Sequence, residues 1–126
     1  MALPDTDSPG IWDKIVYQGD TFTWSFSLES GEEGSEVPVN LTGVTIIMTI
    51  KKARGSTVPT LWTGSTTGGQ ITIGSIDNNV VNITIPATQM ALLPATTLVY
   101  DIQFSQSGQV ETYLTGNFTV TADVTE

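Results

Sequence analysis

Apolar and polar residues alternate along most of this chain. Phe22, Trp24, Phe26 and Leu28 alternate with Thr21, Thr23, Ser25 and Ser27, the period of a strand with one face in a core and the other in water. Val44, Ile46, Met48 and Ile50 alternate in the same way with Thr45, Ile47, Thr49 and Lys51. So do Leu98, Tyr100, Ile102 and Phe104 with Val99, Asp101 and Gln103. A one-residue slip in any of these would turn its whole apolar row into solvent, so the register is specified. Shorter runs predict further strands over Lys14 to Tyr17, Val58 to Trp62, Gln70 to Ile73, Val80 to Ile85 and Val110 to Leu114, with Phe118 and Val120 finishing the core. The stretch Leu92 to Phe104 reads as a tight corner feeding the central strand. Tyr100 buries its ring there, and the corner backbone is the expected partner of its hydroxyl.

Turn residues punctuate these runs. Gly19-Asp20, Asn40-Leu41-Thr42-Gly43, Asp77-Asn78-Asn79 and Gly108 each supply or tolerate positive φ. Gly116, inside the last apolar run, predicts a bulge or bend. Pro86 to Leu93 has helical spacing for about one turn, ended by Pro94. Glu29 to Pro38 is an acidic loop carrying Glu29, Glu32, Glu33 and Glu36. Its spacing lacks the alternating carboxylates of a calcium loop, so it reads as a solvated hairpin tip. Met1 to Gly10, with two Pro, two Asp and a Gly, reads as an extended arm. The prediction is an all-β sandwich of about eight to nine antiparallel strands with one helical turn near 87–93. Residues 11–126 form one domain behind an arm of residues 1–10.

Composition narrows the function. The chain has 126 residues, enough for one core. Only 13% are charged, and the net charge is −9 with four Lys and Arg. That balance argues against nucleic acid and against anionic membrane surfaces. Without Cys or His there is no disulfide, no thiolate metal site and neither the commonest general base nor the commonest transition-metal ligand. No run approaches the ~20 apolar residues of a membrane span, and the first residues lack the pattern of a secretory signal. Asp20, Asp77, Asp101 and Glu111 are candidate carboxylates, but nothing in their spacing pairs them for glycosidase chemistry. No phosphate, dinucleotide or nucleophile motif is present. The expectation is a non-enzyme with no cofactor and no metal.

Contact residues are therefore the sites to seek. Leu3 in the arm and Ile11 and Trp12 at its end are one group. Lys51, Lys52 and Arg54 hold three of the four cations and form either a docking patch or a charged edge that discourages strand pairing. Trp62 is either a core residue or an exposed anchor. Trp12 and Trp62 are also the candidates for sugar stacking should the chain be a carbohydrate-binding module.

Three groups of residues carry a resemblance. The first is Gln18-Gly19-Asp20-Thr21-Phe22-Thr23-Trp24-Ser25-Phe26 with Val39-Asn40-Leu41-Thr42-Gly43-Val44-Thr45-Ile46. The second is Gly69-Gln70-Ile71-Thr72-Ile73-Gly74 with Asn82-Ile83-Thr84-Ile85. The third is Leu93-Pro94, Val99-Tyr100-Asp101-Ile102 and Gly116-Asn117-Phe118-Thr119-Val120-Thr121, ending in Val124-Thr125. In this order they resemble small immunoglobulin-like structural proteins of tailed bacteriophages and prophages. They are similar to the N-terminal domain of upper baseplate proteins. The resemblance implies an immunoglobulin-like sandwich that serves as a virion building block, made in the host cytoplasm. Its partners would be other virion proteins in a symmetric, multi-copy assembly. It implies no catalytic residues. Baseplate proteins of that kind continue into a long C-terminal region, whereas this sequence stops at Glu126, so a self-contained module of tail, baseplate or fibre attachment is expected. The alternative is a capsid decoration protein of the same fold.

Overall fold

The structure, a computed structural model, describes residues 10–30 and 37–122. Leu3 and the rest of the arm up to residue 9, the tip of the acidic loop and the Val124-Thr125 end lie outside the described residues.

The alternating runs become strands with their predicted faces. β3 (Phe22–Ser27), β8 (Ile71–Gly74) and β9 (Val80–Ile85) form one sheet in the order β3-β9-β8. β6 (Thr45–Lys51), β7 (Thr60–Ser65), β10 (Thr97–Gln106) and β11 (Gln109–Thr121) form the other, with β10 at its centre between β11 and β6. The apolar rows of both sheets meet in one core, where Ile46, Met48, Ile50, Leu98, Tyr100, Ile102, Phe104 and Phe118 are buried against Phe22, Trp24, Val81, Ile83 and Ile85. Full burial of each large apolar side chain is worth about 1.5–3 kcal/mol, which is why the alternation sets the faces. A two-stranded ribbon, β4 (Glu29–Ser30) with β5 (Val37–Pro38), leaves one end. The only helix among the described residues is one turn, α1 (Ala87–Met90), which buries Met90 on the crossover between the sheets.

Among the described residues the ladders are antiparallel except along one edge. β1 (Gly10–Ile11) and β2 (Lys14–Tyr17) both run parallel to β11 along its free side. The registers Gly10 to Leu114 and Lys14 to Phe118 keep one offset, so residues 10–17 make a single edge strand interrupted at Trp12-Asp13. Gly10, read as part of the arm, is thus already paired.

Gly116 corrects a second expectation. The register of β10 against β11 shifts between Ile102 and Gln103, where Leu114 gives way to Thr112 and Tyr113 is left over. Tyr113 instead stacks on Phe104 with ring centroids 4.8 Å apart. Gly116 sits in regular ladder opposite Tyr100. It is needed because the Trp12 backbone crosses directly over it. A Cβ there would overlap the Trp12 carbonyl group, 2.8 Å from its carbon. At the other end of the hairpin, Ser107 and Gly108 have φ of 52° and 84°, the two positive values that a two-residue turn matching strand twist requires.

Candidate interaction site

The edge strand is held by side chains where its own ladder fails. Trp12 donates its backbone N–H to the Thr115 carbonyl at 2.9 Å. In the next position the Asp13 carboxylate takes the place of a main-chain acceptor and receives the Asn117 N–H at 2.9 Å. The Trp12 carbonyl is left to accept from the Tyr100 hydroxyl. That hydroxyl was expected to bind the corner backbone; its partner comes from the beginning of the chain. Burial first, then the negative charges of Asp13 and Asp101, push the Tyr100 phenol above its ordinary range.

Trp12 and Lys14 point toward the sandwich and close the gap between the two sheets. Trp12 and Trp24 pack in a T-shape with centroids 5.2 Å apart, and Trp24 and Tyr100 do the same at 5.7 Å. Lys14 Nζ lies 4.5 Å from the Trp12 centroid and 4.3 Å from that of Trp24, a cation–π pairing that offsets part of its desolvation. Burial nonetheless lowers the Lys14 pKa from its ordinary value. An inward-pointing charge on an edge strand also discourages pairing with another chain. Lys14 was absent from the sequence-based candidates. A lone Lys in a strand of only four residues gave little signal.

The outer face of the large sheet brings two of the predicted groups together. Ile11, 79% exposed, lines a cleft of about 730 Å³ with Asp13, Arg54, Asp101, Thr115 and Asn117. A second cleft of about 300 Å³ shares Arg54 and Asp101 and adds Thr49, Lys51, Ser56 and Gln103. Between them stands an ion pair, Arg54 Nη1 to Asp101 Oδ1 at 3.0 Å. The same Asp101 oxygen accepts from Thr115 Oγ1 at 2.6 Å. Lys51 Nζ donates to the Gly55 carbonyl at 3.0 Å. So Lys51 and Arg54 help to shape their own loop as well as facing outward, and Lys52 is exposed beside them.

The other candidates separate from this surface. Trp62 is buried and donates Nε1–H to Gln89 Oε1 at 2.6 Å. It therefore has no ring face for a partner or a sugar, and the contact reading of Trp62 is corrected to the core one. Trp12, 46% exposed, has its ring engaged by Trp24 and Lys14, so sugar stacking on it is not favoured either. Asp101 lies on β10 and Glu111 on β11, while Asp20 and Asp77 lie in separate loops. Among the described residues no group of three or more carboxylate, His or Cys side chains could hold a metal ion. No helix of the described residues is long and apolar enough to cross a membrane.

No family model matches the chain, and no curated protein matches it in sequence. Solved structures do match the fold. The N-terminal domain of phage TP901-1 ORF48 is similar over 92% of this chain and 92% of that one, with a TM-score of 0.50 and 14% identity. An endo-fucoidan hydrolase of glycoside hydrolase family 107 matches over 93% of this chain but 13% of its own length, at 17% identity and a TM-score of 0.42. The first likeness is one of fold.

Proposed function

We propose that this chain is a non-enzymatic, immunoglobulin-like building block of a tailed-phage particle, docking in the region where tail, baseplate and fibres attach. The observation that carries this reading is the likeness of fold to a phage N-terminal domain across nearly the whole of both chains. The paired clefts on the outer face of the large sheet are the contact surface, with Ile11 on one flank and Arg54 with Lys51 on the other. Each copy contributes a modest area, and symmetric copies sum weak contacts into stable attachment.

The test is the copy number of this protein per purified particle, by quantitative mass spectrometry against the major capsid protein. A few to a few tens of copies is the expected result. Hundreds would replace the tail role with capsid decoration, and absence from the particle would overturn the virion reading.

A further inference from the structure

The end of the sandwich away from the Lys51–Arg54 loop carries a different surface. There the turn Ser75 to Asn79 joins β8 to β9 and holds Ile76 96% exposed. A single exposed apolar residue is ordinary, but this one sits on a turn that is built. Ser75 and Asn78 are non-glycine residues with φ of 79° and 53°, backbone that persists where its surroundings over-determine it. Ser75 Oγ accepts the Asp77 N–H at 3.3 Å and donates to Asn79 Oδ1 at 2.9 Å. Asn79 is buried and donates Nδ2–H to the Leu28 carbonyl at 3.1 Å. The carbonyls of Asn79 and Asn78 receive the N–H groups of Leu28 and Leu41, each at 2.9 Å. Both neighbouring loops thus brace the turn. The β4–β5 ribbon leaves from Leu28 at the same end and exposes Val37.

Charge at this end has one sign. Asp77 follows Ile76, and Glu29 lies on the ribbon, both exposed. All four cations of the sequence are placed toward the other end. Lys51 is opposite Val99, and Lys14 is opposite Phe118, which pairs with Leu98. The Ile76 end lies beyond Ser105 and Thr45, roughly 20 Å further along the strands. That exceeds a screening length of ~8 Å, so the cations do not offset the field around Ile76.

We propose that Ile76 is an anchor for a protein partner whose surface offers an apolar pocket rimmed by Lys or Arg. The rigid turn delivers the side chain with little ordering cost on binding, an apolar anchor in a pocket supplies affinity, and the Asp77 carboxylate that follows it, with Glu29 on the ribbon at the same end, selects a basic rim. This deepens the docking reading above and adds a second contact surface to the cleft around Arg54.

The test places a photo-reactive benzoylphenylalanine at position 76 of the full chain in cells that produce it. A control carries it at position 92, where Leu92 is exposed beyond α1. Cross-linked peptides are sequenced by mass spectrometry. The expected result is a cross-link from position 76 to a peptide rich in Lys and Arg, its yield lowered about tenfold by Asp77→Lys, as for a charge-selected contact. The Ile76→Ser chain should keep its unfolding midpoint and lose the partner. A yield at 76 no higher than at 92, an acidic partner peptide, a second copy of this chain, or indifference to Asp77→Lys would each overturn the proposal. A chain absent from particles but cross-linked to a basic pocket removes the virion reading alone. A chain present in particles without a cross-link from 76 removes this one alone.

Discussion

Gly116 and Tyr100, paired across the ladder, meet the same carbonyl, that of Trp12. A methyl group at 116 would push the edge strand off β11, because the atoms it meets are backbone and do not swing away. Gly116→Ala is expected to cost about 1–3 kcal/mol, as overpacking does, read as a lower urea midpoint at unchanged slope. Tyr100→Phe leaves the Trp12 carbonyl without its donor and is expected to cost about 1–3 kcal/mol. It also changes the alkaline limb of stability. The folded chain holds the Tyr100 proton more tightly than the unfolded chain. That contribution is whole below a pH of about 10 and is lost as pH rises above it. Burial shifts Tyr113 in the same direction. Lys14 acts oppositely, because its lowered pKa makes the folded state release a proton first, so its contribution rises with pH up to 10.5. The stability gap between wild type and Tyr100→Phe, followed by denaturation between about pH 9 and 12, should therefore narrow as pH rises.

Strands were legible as elements because two-residue alternation reports burial directly. β2 and β9 have the bounds read from sequence, and β10 is central as expected. The parallel attachment of β1 and β2 was not legible. Four residues of alternation say that a strand exists and say nothing about which distant strand it meets or in which direction. The Lys51–Arg54 loop is similar: the charges were visible, but Asp101 as the partner of Arg54 depends on β6 pairing with β10. That pair is exposed, 53% and 42% at its side chains, so Arg54→Ala is expected to change stability by less than about 1 kcal/mol. On the docking role proposed above, loss of Arg54, which lines both clefts, should also lower attachment to the particle. Copy number and urea midpoint measured on one variant separate the two effects.

Across the whole molecule, the two ends of the sandwich differ in charge although both sheets run the full length. The four cations gather at the end that β6 reaches, and the braced Ile76 turn presents apolar and acidic groups at the end it starts from. A block with unlike ends suits ordered stacking between unlike neighbours. The copy number of the Arg54→Ala variant and the cross-link from position 76 examine those two surfaces independently.

By itself the sequence determined the all-β class, the buried rows and the exclusion of thiolate and imidazole chemistry. Each of these follows from residue type and local period. Tertiary structure alone decided that Trp12 closes the sandwich, that Gly116 gives it room, that Tyr100 binds its carbonyl, and that Ile11 and Arg54 share a cleft. Each is a meeting of segments far apart in the chain. Such meetings depend on strand order and direction, and a two-residue period carries neither.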